Sequence, residues 1–189
     1  MSTTVIKTLQ ATFVTPTAHK EAKLCDLLET YREALREAFD ANTASLSKLS
    51  EIVKPYELPG QAKAAISNYL SKLRRRGDVK ELHDEHPMRF SNQAARFDHS
   101  SDRVHEFTWW VPRPGWGTNF WIPLRINPDQ EADWHALLRE EVKPAEIRLC
   151  HRHGKWELHV GIKYHVDVAD SGSDDVTHIG LDIGETALI

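Results

Sequence analysis

Along residues 4–14, TVIKTLQATFV, apolar and polar positions alternate. Val5, Leu9, Ala11 and Phe13 fall on one side, Thr8, Gln10 and Thr12 on the other. A period of two predicts a half-buried strand. The period then changes. Leu24, Leu27, Leu28, Tyr31, Leu35 and Phe39 recur at steps of three and four, one continuous helical stripe. Thr15 is the predicted N-cap of that helix, with Pro16 at its first position. The stretch NTASLSKLSEI predicts a weaker helix, and KPYELPG breaks it with two prolines and a glycine. QAKAAISNYLSKLRRRGDVKEL predicts a third helix, with Ala65, Ile66, Tyr69, Leu70 and Leu73 inward and a basic cluster at its C-terminal end. Cations suit that end of the helix dipole, so part of the cluster needs no functional cause.

From Met88 onward the chain is aromatic and β-branched, with turn residues between short runs. HEFTWWV, NFWIPLRI and AEIRLCHRHGKWELHVGIKYHVDV predict strands. The last of these predicts a hairpin turning at His153-Gly154, with Trp156, Leu158, Val160 and Ile162 on one face. DQEADWHALLREEV predicts a short helix with Trp134, Leu137 and Leu138 inward. ADSGSDD is a polar linker, and HIGLDIGETALI after it reads as one further buried strand. A lone N-terminal strand must pair with something, so the first strand and the later ones are expected in one sheet, with the helical segment inserted between them. The fold class expected is α+β.

The bulk composition narrows the function classes. The 189 residues are 40% hydrophobic and 28% charged, the pattern of a soluble globular chain. No apolar run approaches the ~20 residues of a membrane span, and the N-terminus lacks a signal-peptide pattern. Cys25 and Cys150 sit far apart inside apolar patterns, which fits reduced, buried thiols in a cytoplasmic protein. The net charge of −4 argues against a general nucleic-acid binder. The charge is uneven, however: Lys72, Arg74, Arg75 and Arg76 form a compact cluster, and Arg89, Arg96 and Arg103 follow. A local basic face still focuses field on a phosphate backbone. A solvated helix face accounts for the cluster equally well.

Asp182 lies among Ile179, Leu181 and Ile183, flanked by Gly180 and Gly184. An unpaired buried carboxylate costs several kcal/mol, so an Asp here implies a cation, an Arg or a sheet end in water. One carboxylate does not hold the metal pair of phosphodiester cleavage, and only Glu185 follows it. Asp-x-Gly before Glu-Thr also resembles the phosphate-binding hairpin of the actin, hexokinase and sugar-kinase superfamily, although there the motif opens the protein. His83, His86, His151 and His153 with Cys150 lack the paired Cys-x-x-Cys spacing of structural zinc, so no zinc site is expected. Trp109, Trp110, Trp116 and Trp121 surround VPRPGWGTNF. Beside Arg113 and Asn119 these rings suit either base stacking or sheet packing.

Taken in order, the N-terminal strand and helix, RFSNQAARFD, FWIPLRI, EIRLCHRHGKWELHVGIKY, the linker and HIGLDIGETALI resemble the N-terminal part of the TnpB (OrfB) family. These are insertion-sequence-encoded, RNA-guided nucleases related to type V CRISPR effectors. The resemblance implies a β-barrel-like wedge domain (1–40 and 87–169) and an inserted helical recognition segment (41–86). A linker (170–175) and the first strand of a truncated RNase-H-like (RuvC) domain (176–189) would follow. It makes Asp182 the first catalytic, Mg²⁺-binding carboxylate of an incomplete set. The rest of such a nuclease domain, with its further carboxylates and zinc ribbon, has no counterpart here. It also implies guide RNA and double-stranded DNA as partners, held by Lys72, Arg74, Arg75, Arg76, Arg89, Asn92, Arg96 and Arg113. A separate chain completing the nuclease, or a decayed insertion-sequence remnant without activity, are the alternatives.

Overall fold

The alternating N-terminal segment is a strand, β1 (Ser2–Phe13), and it lies inside a sheet rather than at its edge. The structure, a computed structural model, describes residues 2–77, 81–115 and 117–167. The expected linker, the expected final strand with Asp182, and Trp116 lie outside the described residues. Along the chain follow α1 (Ala18–Asp40), α2 (Leu46–Val53), α3 (Gly60–Arg76), β2 (Met88–Ser91), β3 (Phe97–His99), β4 (Phe107–Val111), β5 (Phe120–Ile126), α4 (Glu131–Leu138), β6 (Lys143–Arg152) and β7 (Lys155–Asp167). The fold is α+β: four helices against a curled, antiparallel sheet ordered β2-β6-β7-β1-β5-β4-β3.

Connection length dictates the curl. The outer strands β2 and β3 are consecutive in sequence, joined through a 3-10 turn at Asn92–Ala94. From Ser91 to Phe97 an extended chain spans at most about 21 Å. In a flat sheet the outer strands would stand about 29 Å apart, six spacings of ~4.8 Å. The sheet therefore bends into a half-barrel. Contacts across its interior show the closure. The rings of Phe90 on β2 and Trp109 on β4 are 5.6 Å apart, edge to face. Trp109 Nε1 donates to the Ala94 carbonyl at 2.9 Å. Phe13 lies 6.1 Å from Trp109 and 6.4 Å from Trp156. Trp109 and its inward neighbours Leu9, Phe90, Ile122, Leu158 and Val160 are fully buried.

The helices join this core. The α1 stripe from Leu24 to Phe39 is buried as its spacing requires. Its start differs from expectation: Val14 N still donates to Pro123 O at 3.0 Å, holding the chain against β5 past Phe13. Thr17, not Thr15, is the N-cap, its hydroxyl accepting from Lys20 N. The third helix also ends earlier, at Gly77. That residue's φ of 87° is the left-handed conformation that stops helices. Arg74 of α3 reaches back to α1, donating to Phe39 O at 2.6 Å with its guanidinium 4.0 Å from the Phe39 ring centroid. Its donation adds a side-chain bond to a carbonyl of the last α1 turn that also accepts from Asn42 N at 3.1 Å.

Two local devices set the register. At the β6–β7 turn both His153 (φ 50°) and Gly154 (φ 71°) are left-handed, the geometry of a two-residue hairpin. It places Trp156, Leu158, Val160 and Ile162 inward, as the alternation predicts. Elsewhere β1 pairs with β5 only from Ala11 to Phe13. Beyond that the Gln130 side chain extends the ladder, accepting from Gln10 N at 2.8 Å and donating to Thr8 O at 3.1 Å.

Candidate nucleic-acid interface

Because strands alternate, burying Phe107, Trp109, Ile122, Leu124, Leu158 and Ile147 turns their neighbours to the outer, convex face. Register then assembles those outward residues into rows. One row crosses four strands: Arg89 opposite Arg148, Arg148 opposite His159, His159 opposite Gln10. The next runs Cys150, Glu157, Thr12, Arg125. At the far side Trp110 on β4 stands opposite Trp121 on β5, their rings 5.6 Å apart. Arg96, just before β3, lays its guanidinium 3.5 Å from the Trp110 ring centroid. That gives a cross-strand cluster of one guanidinium against two tilted indoles, Arg96 lying 5.9 Å from the Trp121 ring centroid as well. Trp121 is 39% exposed, whereas Trp109, Trp134 and Trp156 are buried.

The face is not uniformly basic. Glu146 accepts from Arg89 at 2.7 Å and lies 3.0 Å from Arg148 Nε. Glu157 lies 3.4 Å from His159 Nε2. Arg148 keeps 42% of its side chain exposed. Arg125 and Arg96 are exposed and form no ion pair among the described residues. Burial lowers the His159 pKa below its ordinary value, against the opposing pull of Glu157. The imidazole is therefore mainly neutral on this face at pH 7. Burial also raises the thiol pKa values of Cys25 and Cys150, which are both free and weak nucleophiles in consequence.

The residues singled out from the sequence separate into two groups. Lys72, Arg75 and Arg76 are exposed along the C-terminal part of α3, without ion pairs among the described residues, and Asn92 and Arg96 are exposed beside β2 and β3. Arg74, Arg89 and Arg113 hold the protein itself together. Arg89 is clasped between Glu146 and the Tyr69 ring, 4.2 Å from its centroid. Arg113 donates to Lys23 O and pairs with Asp26, tying the β4–β5 loop to α1, while its own N–H donates to Asn119 Oδ1 at 2.7 Å. Sequence reasoning missed Arg125, Arg148 and His159. Each sits in a strand whose alternation marks it as outward, but only the register brings them together.

Hollows open at two places among the described residues. A shallow polar one of about 230 Å³ lies where β1 and β5 part, lined by Gln10, Thr12, Arg125, Asn127, Glu157 and His159. The other, about 430 Å³, lies between α4, β3 and the start of β6. Neither gathers a nucleophile beside a base. Among the described residues no group of three or more His, Cys, Asp or Glu side chains is placed to hold a metal ion. The chemistry on display is that of an extended surface. In comparisons with known proteins, no family model matches the chain and no curated protein matches it.

Proposed function

We propose that this chain is a nucleic-acid-binding module, the wedge and recognition part of a TnpB-like RNA-guided nuclease. In that role it holds a structured guide RNA together with the duplex beside the target. The observation that carries the binding role is the convex sheet face. It combines the exposed cations Arg96 and Arg125 and the half-exposed Arg148 with a partly exposed indole pair, and its shallow hollow gathers no nucleophile beside a base among the described residues. The chain order is compatible with a wedge domain interrupted by helices: β1 is central to a curled sheet whose other strands all arrive after α1–α3. Sequence recognition would come from base pairing by the guide, with the protein reading shape and backbone.

The exposed cations make the test one of salt dependence. Each phosphate neutralised steepens log K against log salt by about 0.7 for single strands and about 0.9 for duplex. Binding of a fluorescent hairpin RNA, followed by anisotropy, is expected to weaken steeply with salt. The triple variant Lys72→Ala, Arg75→Ala, Arg76→Ala is expected to flatten that slope by about 2. A chain that binds neither RNA nor DNA at low salt would refute the proposal.

A further inference from the structure

The cluster of Arg96, Trp110 and Trp121 has a use that phosphate contacts do not explain. Arg96 is already seated on Trp110, 3.5 Å from the ring centroid, and is 5.9 Å from Trp121. Stacking fixes the guanidinium plane while leaving its N–H edge to point elsewhere. The nearest acid along β3, Asp98, is occupied by Arg103 at 2.9 Å. Arg96 therefore retains its charge and its donors for a ligand. Beside Trp110, and also within reach of Arg96, stands Trp121, 39% exposed. The neighbouring strand β1 ends at Phe13, which pairs with Leu124, so no described strand pairs with β5 on that side at Trp121. At the sheet edge next to it, Lys20 donates to the Trp121 backbone carbonyl at 2.8 Å, and the Lys20 and Lys23 ammonium groups lie 6.0 and 5.9 Å from the ring centroid of Phe120, which alternation turns to the opposite face.

Resting on the nucleic-acid reading above, we infer that Trp121 is a stacking platform for an unpaired nucleobase, with Arg96 on the same face and Lys20 at the sheet edge holding the flanking phosphates. The ligand class is single-stranded RNA or DNA, or the unpaired loop of a folded one. Three features point to this class. A flat, partly exposed ring stands beside a second, tilted ring and a guanidinium that lies against both. Every base offers a π-face to such a ring irrespective of sequence. In a duplex those faces are covered by neighbouring base pairs, so a surface indole reaches them only after unstacking. An aliphatic protein partner would need a broader apolar patch, and the cations around Trp121 do not provide one.

The test compares a short labelled oligouridylate with a blunt, fully paired duplex, using wild type, Trp121→Leu, Trp121→Phe and Arg96→Ala, each checked for folding by circular dichroism. Leucine keeps apolar volume and removes the flat ring, whereas phenylalanine keeps a flat ring. Trp121→Leu is expected to weaken oligouridylate binding by about tenfold or more while leaving duplex binding unchanged. Trp121→Phe is expected to retain most of the affinity. An oligonucleotide carrying 5-iodouridine should photocross-link to the peptide containing Trp121. The inference is overturned if wild type binds oligouridylate and Trp121→Leu binds it equally, or if both ligands weaken in step. The underlying reading of a nucleic-acid module fails separately, by wild type binding neither ligand.

Discussion

His86 is 8% exposed and lies where three guanidinium groups converge. Burial pushes its imidazole down to about 4 from an ordinary 6.5, and Arg89, Arg32 and Arg148 push the same way. A bond from Nδ1–H to Pro87 O at 2.9 Å opposes them without prevailing. Its ring packs 5.0 Å from that of Tyr69. Unfolded, the same imidazole protonates near its ordinary pKa. Between about pH 6.5 and about pH 4 the unfolded chain therefore binds the extra proton. This contribution to stability is whole above about pH 6.5 and is lost as the pH falls toward about 4. The full displacement is worth about 3 kcal/mol, of which about 1 kcal/mol is gone by about pH 5.5. Urea unfolding of wild type and His86→Phe, measured from about pH 7 to about pH 5.5, isolates it. Phenylalanine keeps the packing on Tyr69 and cannot protonate. It also loses the Pro87 bond, about 1 kcal/mol at every pH. Other groups, His159 included, titrate in both proteins and cancel in the difference. The stability gap between wild type and variant is expected to narrow by about 1 kcal/mol on acidification. A gap that stays constant would refute the placement of a buried neutral imidazole here.

Arg74→Ala removes the cap on Phe39 O and a cation–π contact, and is expected to lower stability by about 1–2 kcal/mol in denaturant titration. The double variant Arg75→Ala, Arg76→Ala is expected to stay within about 0.5 kcal/mol of wild type. Equal losses in the two proteins would contradict the separate roles assigned to them. Gln130→Ala breaks both bonds that extend the β1 ladder. It is expected to cost about 1–2 kcal/mol and to speed amide exchange at Gln10, and unchanged protection at that amide would count against the bridging role.

What the sequence determined by itself is the set of local faces. The period of two in β1, the stripe of α1 and the His153-Gly154 turn each declare which side must be buried, because burial is a demand that one segment makes alone. Alternation also puts Trp109 and Trp110 on opposite faces. Which of them is core, and which partners face the other, depended on β4 meeting β5 and on both curling over Phe13 and Phe90. The three arginines ending α3 look equivalent as a string. Helical geometry against α1 makes Arg74 a cap and leaves Arg75 and Arg76 in water. Arg89 reads as one more free cation until Glu146 and Tyr69 close around it. The convex face was not legible for the same reason. Gln10, Arg148 and His159 become neighbours only through strand register, and the curl that presents them comes from a short link between two outer strands. A sequence states what each segment needs to hide. Which distant segment hides it, and which side chains are left on the surface together, is decided when pairing and connection lengths are satisfied at once.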